Sequence, residues 1–153
     1  PAFTGLGAPW WDAEARGGIF GLTRDAGLAE IARAAFDASG LQTRNLIEAM
    51  RADAPRAFGG EAELRIDGGM ARSAWFSQRL ADLTGLGVSR ATFQETTALG
   101  AAYLAGVGAG VFRDVGEAAG SRPATEAFAP RMGADARERA YARWLDAVNR
   151  VRT

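Results

Sequence analysis

A short apolar segment followed by two adjacent glycines is the part of this sequence best suited to chemistry. Residues 64–66 are predicted to form a strand, Asp67, Gly68 and Gly69 a turn, and a helix follows from residue 72. Glycines carry no Cβ, so the backbone can approach a flat base or a phosphate, and the helix presents unpaired N–H groups with partial positive charge. Such a turn can hold a nucleotide, although Asp-Gly-Gly also forms ordinary turns.

The composition excludes several kinds of catalysis. The 153 residues include no cysteine and no histidine, and all 18 basic residues are arginine. Disulfides, thiol and imidazole catalysis, cysteine or histidine metal sites, a P-loop lysine and a Schiff-base lysine are therefore excluded within this chain. Any catalysis would depend on carboxylates, hydroxyls, arginines and backbone N–H groups.

Charge and hydropathy narrow the class of protein further. Eighteen acidic residues balance the arginines, so no net field attracts nucleic acid or an anionic membrane. A chain of this length with 48% hydrophobic residues predicts one folded core. No stretch approaches the roughly 20 apolar residues of a membrane helix, and the first residues lack a targeting pattern. We expect a cytoplasmic protein, and the start at Pro1 favours a piece of a longer one.

Hydrophobic periodicity and glycine or proline breaks predict the elements that would position the turn. Strands are predicted at residues 18–22, 64–66 and 88–93. Helices are predicted at residues 28–53, 72–84, 96–107 and 135–151. This order fits an α/β sheet layered with helices, but three strands are few for the length. Either further strands lie upstream, or the sheet is small.

Three local predictions concern the remaining segments. The mixed polarity of residues 88–93 favours a short or edge strand. Residues 111–134 are polar and contain two prolines, so they are predicted to form a wrapping connection. Asp135 and Glu138 are spaced like a capping box at the start of the amphipathic terminal helix, residues 135–151.

Four segments occur in the order in which a known family carries them. Residues 1–12 are Pro-Ala-Phe-Thr-Gly-Leu-Gly-Ala-Pro-Trp-Trp-Asp, and residues 17–37 hold Gly-Gly-Ile-Phe-Gly-Leu, a later Glu-Ile and Ala-Ala-Phe-Asp. The Asp-Gly-Gly turn and Thr-Thr-Ala-Leu-Gly-Ala-Ala-Tyr at residues 96–103 complete the set. Residues 1 to about 110 therefore resemble the C-terminal part of the FGGY carbohydrate kinases, most closely the glycerol kinases of that family.

The resemblance implies an actin-like ATPase fold. In that fold two RNase H-like domains close around a cleft that holds ATP, Mg²⁺ and the polyol. Residues 1–153 would be an incomplete second domain, whose first strands lie upstream and whose partner is the N-terminal domain of the same kinase. Family members commonly self-associate, so a homo-oligomer is expected.

The resemblance also implies site residues. Gly68, Gly69 and Ser73 match positions that bind the adenosine part of ATP, with Ser73 standing where the family usually has asparagine. Asp67 is expected to cap the turn or the helix that follows it and not to act as a base, and Arg72 is expected to be a solvated surface group. The catalytic aspartate, the polyol ligands and the Mg²⁺ ligands would lie upstream, so no catalytic or metal-binding residue is assigned here.

The activity implied is transfer of the γ-phosphoryl group of ATP to glycerol, giving glycerol 3-phosphate. Two alternatives remain open: a kinase of the same family for another polyol or a pentose, and a non-catalytic nucleotide-binding or assembly module. A Rossmann dehydrogenase is disfavoured because the turn lacks Gly-x-Gly-x-x-Gly and no suitable acidic residue follows a second strand.

Overall fold

A computed structural model of the chain describes residues 1–58, 62–93 and 95–153. In these ranges the strands are β1 (Glu63–Ile66), β2 (Gly87–Ala91) and β3 (Thr125–Phe128). The α-helices are α1 (Leu28–Asp53), α2 (Ala74–Thr84), α3 (Thr96–Gly108), α4 (Val115–Gly120) and α5 (Ala134–Val151). Short 3-10 helices occur at Pro55–Phe58 and Met70–Arg72. None of the helices in the described ranges is both long and apolar enough to cross a membrane.

The three strands form one sheet in the order β1-β2-β3. β1 and β2 run parallel with Ile66 opposite Arg90, and β2 and β3 run antiparallel with Val88 opposite Phe128. β2 is therefore the central strand of this sheet. Of the two alternatives predicted for it, the edge position is wrong and the short strand, of five residues, is confirmed. The mixed polarity of β2 has another cause: its one charged residue, Arg90, forms hydrogen bonds to neighbouring elements of the fold.

The core beside the sheet is built by α2. Phe76, Leu80 and Ala81 pack against Val88 of β2, and Leu64, Ile66 and Phe128 pack around them. The helix has well-defined ends: the Ser73 hydroxyl accepts a hydrogen bond from the Phe76 N–H, and Gly85 ends the helix at φ +72°. Packing in this cluster fixes the position of α2 along the strand direction.

α1 packs on α2 and has the predicted extent. A Cβ on Gly40 would lie 2.9 Å from Cδ1 of Leu83, which is fully buried, so a larger residue here would require the Leu83 side chain or the helices to shift. The Arg79 guanidinium donates to both carboxylate oxygens of Asp37 at 2.6 and 2.8 Å, which joins the same two helices. This ion pair raises the pKa of Arg79.

A polar network fastens α5 to α1. Nη2 of the buried Arg44 lies 2.7 and 2.8 Å from the two carboxylate oxygens of Glu138, and its guanidinium lies 4.0 Å from the centre of the Tyr141 ring. Asn45 donates to the Tyr141 hydroxyl and accepts from the Trp144 indole. Burial raises the pKa of Tyr141. The network thus orients the whole terminal helix.

The predicted capping box of that helix was wrong. In the described structure α5 begins after Gly133, which has no side chain with which to cap it, and Glu138 turns to Arg44 instead. A buried arginine is a stronger partner for a carboxylate than a backbone N–H exposed to solvent. The tertiary contact therefore overrides the local motif.

Two further segments differ from the predictions. Residues 18–22 are irregular, and the side chains of Ile19 and Leu22 are 61% and 60% exposed. Their apolar composition suits a strand, but a strand needs a partner backbone, and none is supplied by the described residues. Residues 111–134 contain α4 and β3 as well as irregular backbone, and residues 59–61 of the loop before β1 lie outside the described residues.

We predict that Arg44→Met lowers the free energy of unfolding by about 1–3 kcal/mol, because it removes charge-assisted hydrogen bonds that α5 needs. Urea denaturation followed by tryptophan fluorescence measures the change. The matched control is Arg150→Met, which breaks an ion pair with Asp146 whose side chains are both more than half exposed. Exposed pairs contribute little, so the control should keep the unmodified midpoint. Equal midpoints for the two variants would contradict this account of the network.

Candidate nucleotide-binding site

The Asp-Gly-Gly turn leaves the carboxyl end of β1 in the predicted place. Gly68 has φ +84°, which disfavours any residue with a Cβ, and Gly69 has φ −60° and starts the 3-10 helix Met70–Arg72. A Cβ built on either glycine meets no atom of the described residues within 4 Å. The turn therefore presents bare main chain to open space, as contact with a flat ligand requires.

A cavity of about 210 Å³ opens beside this turn. Of the three predicted contact residues, Gly68 is the one that lines it, together with Asp67, Arg72 and Glu126. Pockets that enclose a small ligand usually measure about 300–1,000 Å³. The turn is therefore suited to form one wall of a nucleotide site, and this cavity is too small to enclose a nucleotide by itself.

Ser73 ends the 3-10 helix and begins α2. Its hydroxyl oxygen lies 3.3 Å from the Phe76 backbone nitrogen and accepts that hydrogen bond. A serine hydroxyl can donate one hydrogen bond while it accepts another, so its proton stays available to a ligand. Its capping role explains why a small polar residue is needed here, whatever the ligand.

Asp67 connects the turn to the start of α3. The hydroxyl of Thr96, the first residue of α3, donates to a carboxylate oxygen of Asp67. Asp67 thus joins two elements through the Thr96 side chain, whereas the 3-10 helix after the turn has no side-chain cap and α2 is capped by Ser73. Among the described residues, the Glu95 side chain forms no capping bond to α3.

Sequence reasoning missed two residues that hold the backbone after the glycines, Arg90 and Glu126, both of which line the same cavity as Gly68. Nη1 of Arg90 in β2 donates to the backbone carbonyls of Ala71 and Arg72, at 2.9 and 3.0 Å, and Nη2 pairs with Glu126 in β3. The only sign of this role in the sequence is a single arginine within a short strand. Its partner in β3 could not be identified without knowing that β3 pairs with β2.

No group of three or more carboxylates that could hold a metal ion occurs in residues 1–58, 62–93 and 95–153. A larger cavity of about 730 Å³ lies between the sheet and the helices α3 and α4, and its walls include Ser89, Leu99 and Tyr103. No residue of α3 is buried by the described part of the chain, although the helix is apolar almost throughout.

A small sheet with α1 and α2 on one side and α3 on the other places the chain in the class of actin-like sugar-kinase domains, as comparison with solved structures confirms. The structure of Plasmodium falciparum glycerol kinase with ADP superposes with a TM-score of 0.84 at 29% identity, over 99% of this chain and 30% of that one. Xylulose kinase from Lactobacillus acidophilus has the same fold, with a TM-score of 0.72 at 22% identity over 99% of this chain and 29% of its own.

The chain belongs to the FGGY family of carbohydrate kinases, whose C-terminal domain matches residues 1–109. It is 54% identical over 151 residues to the glycerol kinase of Rhodospirillum rubrum and 52% identical over 153 residues to that of Ectopseudomonas mendocina. These alignments cover 99% and 100% of this chain. The chain spans 30% of the length of each of these relatives.

We predict that Gly68→Ala lowers the free energy of unfolding by about 1–2 kcal/mol, because a Cβ is strained in the left-handed region. Gly69→Ala is the matched control, since its φ is ordinary and the space beside it is open. The two midpoints in urea give the comparison. If Gly69→Ala destabilises the protein as much as Gly68→Ala, the turn does not have the conformation described here.

Proposed function

We propose that this protein forms the adenosine-binding part of a kinase that transfers the γ-phosphoryl group of ATP to glycerol. The observation that carries the proposal is the open main chain of Gly68 and Gly69 at the carboxyl end of β1. Ligands of open α/β sheets bind at this end of the strands. The likeness of the whole chain to glycerol kinases supports the choice of substrate.

The proposed contacts follow from the chemistry of the turn. The backbone of Gly68 and Gly69 lies against the adenosine moiety, because no side chain keeps it away. The Ser73 hydroxyl, which caps α2, donates its proton to a polar atom of the nucleotide. Asparagine could cap the same helix and donate to a ligand, so serine retains both functions over a shorter reach.

The rest of the reaction is proposed to depend on residues outside this chain. Phosphoryl transfer needs positioned phosphates, a metal ion and a carboxylate that accepts the hydroxyl proton. Mg²⁺ would neutralise charge on the phosphates, and its protein ligands would come from the N-terminal domain of the same kinase. This chain would supply orientation of the nucleotide, which is a large part of such catalysis.

Surface features support a partner domain. Among the described residues, β1 has no neighbour on its outer edge, which leaves backbone groups available for further strands. The apolar helix α3 is uncovered, and Leu104 is 64% exposed. Exposed apolar surface of this kind marks an interface. Self-association and a cytoplasmic location are further parts of the proposal that follow from the family.

We predict that Gly69→Val in a complete kinase raises the KM for ATP at least about tenfold and leaves the KM for glycerol within about twofold, because a branched side chain would occupy the space for adenosine. Steady-state kinetics with each substrate varied in turn measures both constants. Gly133→Val is the control, since Gly133 has negative φ, no described neighbour within 4 Å of an added Cβ, and a place at the start of α5. Equal rises in both constants would argue against the nucleotide assignment.

We also predict that the 153-residue chain alone produces no glycerol 3-phosphate from ATP and glycerol, because the catalytic carboxylate is proposed to lie elsewhere. A coupled assay for ADP release, with a complete kinase as positive control, tests this. A panel of pentoses and other polyols on the complete kinase tests the choice of glycerol. Turnover by the purified chain would overturn the division of roles proposed here.

A further inference from the structure

Arg90 joins the central strand to the turn that follows the two glycines. Its Nη1 donates to the carbonyl oxygens of Ala71 and Arg72, which belong to the 3-10 helix directly after Gly69. Its Nη2 pairs with Glu126, and the guanidinium lies 5.3 Å from the centre of the Phe128 ring. The Arg90 side chain thus connects β2, β3 and the 3-10 helix that follows the turn.

The position of Arg90 makes this connection rigid. The side chain is only 17% exposed, so water competes weakly for its hydrogen bonds. The guanidinium is a planar fork that can hold two carbonyls and a carboxylate at once, which a lysine ammonium cannot do in the same geometry. The 3-10 helix has a single turn, closed by bonds from Arg72 N–H to Gly69 and from Ser73 N–H to Met70. So short a helix depends on outside contacts for its shape.

We propose that Arg90, held by Glu126, is a positioning residue for nucleotide binding that sets the backbone between Gly69 and Ser73. This inference rests on the proposed function, because it assumes that the turn receives adenosine. Arg90 lines the cavity beside the turn, but its Nη1 and Nη2 are bonded to the two carbonyls and to Glu126, so in this account it acts through the backbone. Glu126 lies beyond residues 1–109, so β3 contributes from outside the segment that matches the C-terminal domain model of the family.

A positioning role of Arg90 can be distinguished by experiment from a role in stability alone. A residue that only stabilises the fold would change the thermal midpoint and leave the two KM values in their original ratio. A positioning residue for the turn changes the KM for ATP selectively, since glycerol would be held by other parts of the kinase. It also changes local opening of the turn, which amide hydrogen exchange detects.

The test uses a complete kinase with Arg90→Met, Arg90→Lys or Glu126→Gln, and Arg150→Met as the remote control. We expect Arg90→Met to raise the KM for ATP about tenfold, with the KM for glycerol within about twofold, because two charge-assisted bonds to the turn are lost. Arg90→Lys and Glu126→Gln should give smaller rises in the same direction. Amides of residues 69–73 should exchange faster in Arg90→Met than in Arg150→Met.

The possible results separate failure of the proposed role of Arg90 from failure of the proposed function. A KM for ATP within about twofold of the unmodified value in Arg90→Met, or equal rises for both substrates, would overturn the role of Arg90 and leave the proposed function standing. Failure of the unmodified kinase to phosphorylate glycerol would overturn the proposed function and this inference with it. If Arg90→Met does not fold, Glu126→Gln decides the question, because the Glu126 side chain is half exposed and its loss is tolerable.

Discussion

The packing of α2 across the sheet is the interaction on which the rest of the site depends. Ala81 and Val88 are fully buried in this contact, and Leu80 is nearly so. Close packing of this kind resists displacement, since shifting α2 by one turn would open voids on one side and force overlaps on the other. Because Ser73 begins α2 and the turn precedes Ser73, the position of the turn is determined by this hydrophobic contact.

The register of the sheet adds a second constraint. Ile66 is paired with Arg90, so the arginine lies level with the last residue of β1 and next to the turn. Val88 and Arg90 are two residues apart and project to the same face, the one that α2 covers. A slip of one residue would send Arg90 to the opposite face and leave the carbonyls of Ala71 and Arg72 without it. Apolar packing and a polar anchor therefore require the same register.

Elements with strong local signals were predictable from the sequence. α1, α2 and α5 follow from helical periodicity and glycine breaks, α3 follows from its small residues and the glycines near its end, and the strand-turn-helix unit at residues 64–84 follows from composition. β3 was not predictable, because a strand of four residues in a polar stretch is stabilised by pairing with β2 and not by its own composition. The irregular backbone at residues 18–22 shows the reverse case, in which a strand-like composition finds no partner among the described residues.

The candidate site also contains residues that could be proposed from the sequence and residues that could not. Gly68 and Gly69 could be proposed from the sequence because two adjacent glycines are visible there and leave bare backbone, and Gly68 also has the positive φ that favours glycine. Arg90 and Glu126 could not, because their pairing joins residues 36 apart across strands whose order is a tertiary property. The described contacts that shape the turn come from α2, β2, β3 and the start of α3, whereas the uncovered surfaces lie at the outer edge of β1 and along α3. The turn proposed to receive adenosine is therefore shaped by contacts within the described residues, and in the proposed kinase the partner domain would close the cleft over it.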